Sequence, residues 1–403
     1  MTSWRGNLWD FADVTLDVVL QRWICRGVPS LESVGLPDQV AGLNVIVTGC
    51  TSGIGKAAAR EFARRRCNLF LACRNAAKGE KLRRELLGAG DSETEIEVVV
   101  LDLSSLDSVV KFAKAFNARG VSLDILVNNA GVFAMSAPKS LCEDKYELHL
   151  LTNFLSNSLL TLLLLPSLLR AASDGKSGSG KAKVIMVNSK LHQMCKGFGF
   201  DDPNFDRPRS YNSKKAYAQS KLAQLLFTNA LREKLKTLRG SAEEESAAKR
   251  VQLMTLHPGN VTTDVVRTLP WVVQKAYAII MPLFLLTPEE GARSTLHAAT
   301  DEEADKASPP PSSAVLSIFF RPDPSRRCPC LLLLTSSSFS LRREQKQLVK
   351  QSASTTFGYF NSNCEPVLPS AEARDEAEAD RLWDWTLEEI GAYLNKQVKD
   401  YFR

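Results

Sequence analysis

Thr48-Gly49-Cys50-Thr51-Ser52-Gly53-Ile54-Gly55 stands directly after the apolar run Asn44-Val45-Ile46-Val47 and directly before Lys56–Arg66, whose Ala and Phe residues share one helical face. A glycine-rich turn in that position has a definite physical use. Glycine permits the tight turn and lets backbone approach a pyrophosphate, whose charge rests on the positive end of the helix. Turns collect glycine in any case, so the motif takes its weight from its place between strand and helix. On this reading Gly49, Thr51, Ser52, Gly53, Ile54 and Gly55 are candidate nucleotide-binding residues.

Outward from that stretch the pattern repeats. Further strands are expected at Asn68–Cys73, Glu95–Leu101, Leu123–Val127, Lys183–Val187 and Val251–Leu256. Helices are expected at Ala76–Leu87, Leu106–Phe116, Tyr146–Leu169 and Ala216–Leu238. Strands alternating with helices of about 10 to 15 residues predict an α/β fold, a single doubly wound Rossmann-type parallel sheet with helices on both faces. This domain occupies 41–306 and is completed by 358–403, where Asp375 to Tyr393 reads as a C-terminal helix carrying Trp383 and Trp385. Between them, 307–357 runs through Ser308-Pro309-Pro310-Pro311, Arg321-Pro322-Asp323-Pro324 and Cys328-Pro329-Cys330 with no periodicity, and reads as a disordered insertion. Residues 1–40 place Trp4, Leu8, Trp9, Leu16 and Trp23 on one helical face and Asp10, Asp13 and Asp17 on the other. That N-terminal amphipathic helix has two readings, a segment lying in a membrane interface or one packed on the protein's own surface.

Composition excludes several classes. With 403 residues, 44% hydrophobic and 24% charged, the chain is neither disordered throughout nor collagen-like. Its net charge is +6, and the longest basic run is Arg64-Arg65-Arg66, which argues against a nucleic-acid partner. Nine cysteines, an odd number at scattered spacings, indicate reduced thiols in a cytosol-like compartment. No run of about 20 uninterrupted apolar residues marks a confident membrane span. The four histidines are widely separated and the Cys328/Cys330 pair is isolated, so no metal site is expected.

The chemistry-bearing residues stand at strand ends. After the second strand comes Cys73-Arg74-Asn75 rather than an acidic residue. A basic side chain there accommodates a 2′-phosphate, so Arg74 favours NADP(H) over NAD(H), and Asp102 after the third strand falls near the adenine. Asn128-Asn129-Ala130-Gly131 ends the fourth strand, Ser189 follows the fifth, and His257-Pro258-Gly259 ends the sixth with Thr263 beyond it. Asn153 lies inside a helix, where its type is disfavoured. Tyr217 and Lys221, four apart, share one helical face, and an ammonium beside a phenol favours phenolate. Taken singly, the Tyr–Lys pair arises on any amphipathic helix and Ser189 can merely turn the chain.

Taken in order, TGCTSGIG, Asp102, NNAG, Asn153, Ser189, Tyr217-xxx-Lys221 and HPGNVTT resemble the short-chain dehydrogenase/reductase family over about residues 40 to 300. The Leu256-His257-Pro258-Gly259 strand end, Leu285 to Ala292 and the Tyr359-Phe360 element with its Trp-rich final helix are similar to the retinol-dehydrogenase-like members. The resemblance implies that Tyr217 exchanges the substrate proton, Lys221 holds the nicotinamide ribose, Ser189 binds the carbonyl oxygen and Asn153 fixes a relay water. It also implies cofactor contacts from Leu103, Asn129, Ala130, Gly131, Tyr217, Lys221, Pro258, Gly259, Val261 and Thr263. An apolar lid at 269–286 implies a small lipophilic substrate, a retinoid-, polyprenoid- or steroid-like alcohol and its aldehyde or ketone. A homodimer through the long helices and peripheral contact with an internal membrane such as the endoplasmic reticulum, facing the cytosol, complete the expectation. The alternative is a cofactor-binding or inactive member without turnover. Two departures touch the substrate side: Asn188 and Lys190 flank Ser189, and Asn153 sits in Thr-Asn-Phe-Leu-Ser-Asn. Both leave the four catalytic residue types in place.

Overall fold

The computed structural model describes residues 40–88, 95–134, 137–174, 181–208, 210–262, 285–300 and 358–403. Its strands are β1 (Asn44–Thr48), β2 (Asn68–Cys73), β3 (Ile96–Val100), β4 (Ile125–Asn128), β5 (Ala182–Val187), β6 (Val251–Leu256) and β7 (Tyr359–Phe360). They form one parallel sheet in the order β3-β2-β1-β4-β5-β6-β7. The strands of a parallel sheet covered on both faces read as apolar runs rather than alternating ones, and every residue of β4, β5 and β6 is buried. The winding reverses between β1 and β4. Their carboxyl ends, Thr48 and Asn128, therefore border the crevice where ligands of open α/β sheets bind.

Helices α1 (Gly53–Arg64), α2 (Ala76–Gly88) and α7 (Pro288–Thr300) pack on one face through Ala58, Phe62, Leu82 and Leu296. On the other face lie α3 (Leu106–Asn117), α4 (Ser156–Asp174) and α5 (Ser213–Lys236). The stretch Leu150–Asp174 is long and apolar enough to cross a membrane by composition, yet nearly all of it is buried inside the protein. Its leucines are core, and each fully buried one contributes roughly 1.5–3 kcal/mol. Two short helices, α6 (Ala242–Ala248) and α9 (Lys396–Tyr401), follow capped starts, a Ser241/Glu244 capping box and an Asn395 N-cap. The C-terminal helix α8 (Glu376–Ile390) covers α5. Trp383 stacks on Phe227 at 5.4 Å between centroids, Lys234 pairs with Asp380 at 2.9 Å, and Asn229 Nδ2 donates to the Ala373 carbonyl at 2.8 Å. The chain's own end thus packs on part of α5.

The doubly wound sheet expected from the sequence is the one observed, with three local differences. Helix α5 begins three residues before Ala216, because the Asn212 side chain accepts the Lys214 and Lys215 N–H groups and starts the helix there. The helix expected from Tyr146 begins instead at Leu148 and passes through a π-helical turn, Leu150–Leu155, into α4. The edge strand β7 is two residues long, too short for periodicity, and is defined by the pairing of Tyr359 with Thr255 and of Phe360 with Leu256. The N-terminal amphipathic segment up to residue 39, Thr263, positions 269–284 of the lid and the insertion at 307–357 lie outside the described residues.

Candidate active site

The glycine-rich turn is clamped from below by the end of β4. Thr48 Oγ1 donates to the Val127 carbonyl at 3.2 Å and accepts the N–H groups of Asn129 (3.0 Å) and Ala130 (2.9 Å). Asn129 Nδ2 donates to the Thr48 carbonyl at 3.0 Å. Gly49 takes a left-handed φ of 64°, and a Cβ on Gly55 would fall 2.4 Å from Asn129 Nδ2 and 2.5 Å from the Gly49 carbonyl oxygen. No side chain larger than hydrogen fits at Gly55, so the turn and the Asn129 amide are mutually locked. Ser52, the N-cap of α1, makes no side-chain cap bond, and the first turn of α1 holds no acidic residue. Those helix-end N–H groups keep the arrangement an anion needs.

Around this cradle, Ile54 packs against Val261, and Pro258 is buried at the turn after β6. Arg74 is exposed at the end of β2, and among the described residues no partner engages its guanidinium. Asp102 Oδ1 accepts the Ser104 N–H (2.9 Å) and hydroxyl (2.6 Å), which orients the carboxylate after β3. The Leu103 side chain is buried in the core, and its carbonyl accepts the Ser156 hydroxyl at 2.8 Å. Gly131 is exposed and borders Asn153, whose Oδ1 would lie 3.1 Å from an added Cβ.

At the carboxyl end of β5 the four residues singled out for chemistry come together. Asn153 is fully buried; its Oδ1 accepts the Val132 N–H (2.7 Å), and its Nδ2 donates to the Val132 carbonyl and Ser220 Oγ, each at 3.0 Å. The π-helical turn puts Asn153 where its amide reaches the β4 loop instead of competing with an α-helical ladder. Lys221 Nζ donates to the Val187 carbonyl at 2.8 Å and lies 5.9 Å from the Tyr217 ring centroid. Burial pushes the Lys221 ammonium down to about 7. Burial also raises the Tyr217 phenol above its ordinary value, and a hydrogen bond with Ser189 acts in the opposite direction. Removal from water dominates at both groups, since it penalises the charged form of either.

Several contacts at the site were not foreseen. Phe133 stacks on Tyr217 at 4.4 Å between centroids and 28° between planes. Its neighbour Ala134 gives its N–H to His149 Nε2 (3.0 Å), while His149 Nδ1 donates to Glu147 Oε1 (2.7 Å), both partners being buried. His192 Nδ1 donates to the Ser189 carbonyl (2.7 Å) and Nε2 accepts the Ser370 N–H (3.3 Å), so the C-terminal segment is tied to Ser189. Buried Asn188 and Gln224 join β5 to α5. Of these, only Asn188 left a trace in the sequence, as a departure beside Ser189.

The arrangement suits transfer of a proton beside a nucleotide held at the crevice. The model of the family described as short chain dehydrogenase matches residues 43–197. Dehydrogenase/reductase SDR family member FEY of Arabidopsis thaliana is 34% identical over 368 residues, covering 89% of this chain and 81% of that protein. Retinol dehydrogenase 11 of Homo sapiens is 30% identical over 353 residues, covering 88% of this chain and 87% of that protein. A crystal structure of an uncharacterised protein from Mycobacterium paratuberculosis has a TM-score of 0.55 at 25% identity, covering 94% of this chain and 97% of that one.

Proposed function

This chain belongs to the short-chain dehydrogenase/reductase family, in its retinol-dehydrogenase-like subgroup, and on that premise we propose that it uses NADP(H) to interconvert a lipophilic alcohol with its aldehyde or ketone. It is an NAD(P)-dependent oxidoreductase acting on CH–OH groups. The observation that carries the finer reading is the convergence of Ser189, Tyr217, Lys221 and Asn153 at one strand end, with the phenol hydrogen-bonded to Ser189.

The residues fit a dinucleotide. The side-chain-free space at Gly49 and Gly55 and the uncapped start of α1 suit a pyrophosphate, and the unpartnered Arg74 suits a 2′-phosphate. When bound, the cofactor supplies or accepts the hydride. The chain's own part is position and proton. Ser189 holds the substrate oxygen against Tyr217, and the phenol, kept neutral by burial, is the form that gives its proton to that oxygen. Lys221, its ammonium pushed down by burial, would hold the ribose and favour the phenolate left behind. Asn153, locked to Val132 and Ser220, gives the relay a rigid wall on the β4 side.

The lipophilic substrate class rests on Phe133, which lays an apolar ring against the phenol, and on the retinol-dehydrogenase-like subgroup. Retinoid-, polyprenoid- or steroid-like molecules, with the membrane as their source, are the proposed range. Tyr217→Phe should abolish reduction of a lipophilic aldehyde while NADPH binding persists, because only the transferable proton is lost. A variant with wild-type turnover would overturn the mechanism.

A further inference from the structure

Asn188 and Gln224 are amides buried between the end of β5 and the middle of α5. Asn188 Oδ1 accepts the Ser189 N–H at 2.7 Å, and its Nδ2 donates to the Lys221 carbonyl (2.8 Å) and to Gln224 Oε1 (3.0 Å). Gln224 Oε1 also accepts from Lys221 Nζ (3.4 Å), and Gln224 Nε2 donates to the Asn153 carbonyl (3.4 Å). Both amide hydrogens of Asn188 and both lone pairs of the Gln224 oxygen are thereby used. Two adjoining side chains thus touch Ser189, Lys221 and Asn153.

The surroundings of Lys221 give this pair its consequence. The end of β5 offers the Val187 carbonyl, the π-helical turn offers Asn153, and the β4 loop offers Gly131, all uncharged. Among the described residues the ionisable group facing Lys221 is the Tyr217 phenol on its own helix, and no carboxylate pairs with it. A buried ammonium without a counter-charge depends on neutral oxygen acceptors. In this site those acceptors are the Val187 carbonyl and Gln224 Oε1.

We propose that Asn188 and Gln224 are positioning residues for the reaction: Asn188 fixes Ser189 relative to α5, and Gln224 holds the Lys221 ammonium and sets how readily it keeps its proton. The proposal rests on the reading of Ser189 and Lys221 given above. It also assigns a role to the departure at 188, since the Asn188 amide reaches the Ser189 N–H, the Lys221 carbonyl and Gln224 together.

The test is a direct titration of Lys221 by NMR in protein labelled at lysine Cε, with the resonance assigned through Lys221→Arg. Gln224→Glu places a carboxylate at the ammonium and should raise the Lys221 midpoint by about one unit or more. Gln224→Leu removes an acceptor and should lower it. If the leucine variant does not fold, Gln224→Met keeps the length and serves the same arm. In turnover assays, the limb of the pH profile that reports Lys221 should move in the same two directions, and Asn188→Ser should lower kcat with little change in KM. Opposite displacements by the two Gln224 variants support the proposal, because a purely structural role would move both alike or neither. Midpoints that stay put, or move in the same direction, overturn it. Tyr217→Phe, assayed in parallel, separates the failures: retained turnover there refutes the reaction itself, whereas an inactive Tyr217→Phe with unmoved Lys221 midpoints refutes only the role of the amides.

Discussion

Acidification below neutrality should unlock the C-terminal segment through one histidine. His192 is fully buried, and burial lowers its pKa from 6.5 to about 4, against smaller opposing effects of the Ser189 carbonyl and Glu372. Its Nε2 accepts the Ser370 N–H, so a proton there would set one N–H against another. Above pH 6.5 the ring is neutral in both folded and unfolded chains, and the link stands in full. As the pH falls from 6.5 towards 4, the unfolded chain takes up a proton that the folded chain refuses, and stability drops. Below that window both forms are charged and the loss is complete. At about 1.4 kcal/mol per pH unit, the full loss is about 3 kcal/mol. Urea unfolding of wild type and His192→Gln at about pH 7, 5.5 and 4.5 measures it, because carboxylates titrate alike in both proteins and cancel in the difference. The wild type should lose more stability than the variant on acidification, with the gap growing below about pH 6.5. Equal losses would refute the reasoning.

Other expectations follow from single contacts. Gly55→Ala should cost about 1–3 kcal/mol through overpacking against Asn129 and the Gly49 carbonyl. It should also weaken nucleotide affinity, read by thermal shift with NADPH; an unchanged response would show that the turn is not the cradle. Arg74→Asp should move the NADPH/NADH preference towards NADH, and an unchanged ratio of kcat/KM would remove Arg74 from phosphate recognition. Trp383→Ala removes a buried ring stacked on Phe227 and edge-on to Phe402, and should cost about 3–5 kcal/mol in denaturant unfolding. A loss under about 1 kcal/mol would mean that α8 is not an integral part of the core.

The legible parts of this molecule were those with a local period. Each central strand announced itself as a short apolar run, and α1, α2 and α3 as faces of Ala, Leu and Phe, because burial on a sheet demands those spacings. The start of α5 at Ser213 was missed, since Asn212 acts there through a side-chain cap rather than through apolar pattern. The π-helical turn at Leu150–Leu155 has no distinctive apolar pattern, and Asn153 stood out only as an ill-suited helical residue. His192 and Gln224 looked like ordinary helix and loop residues, because Ser370, Asn153 and Asn188, which they meet, lie far away in the chain.

By itself the sequence determined the alternation of strands and helices, the glycine-rich turn ahead of α1, the basic residue after β2 and the four-residue offset of Tyr217 and Lys221. These are properties of neighbours, set by backbone geometry and helical period. Tertiary structure alone decided that β7 joins β6, that α8 seals α5, that Ser370 reaches His192, and that Asn188 and Gln224 bind three separate elements into one network. It also decided the direction of the Tyr217 shift, because the energy of a charge depends on how much water the assembled fold removes from it.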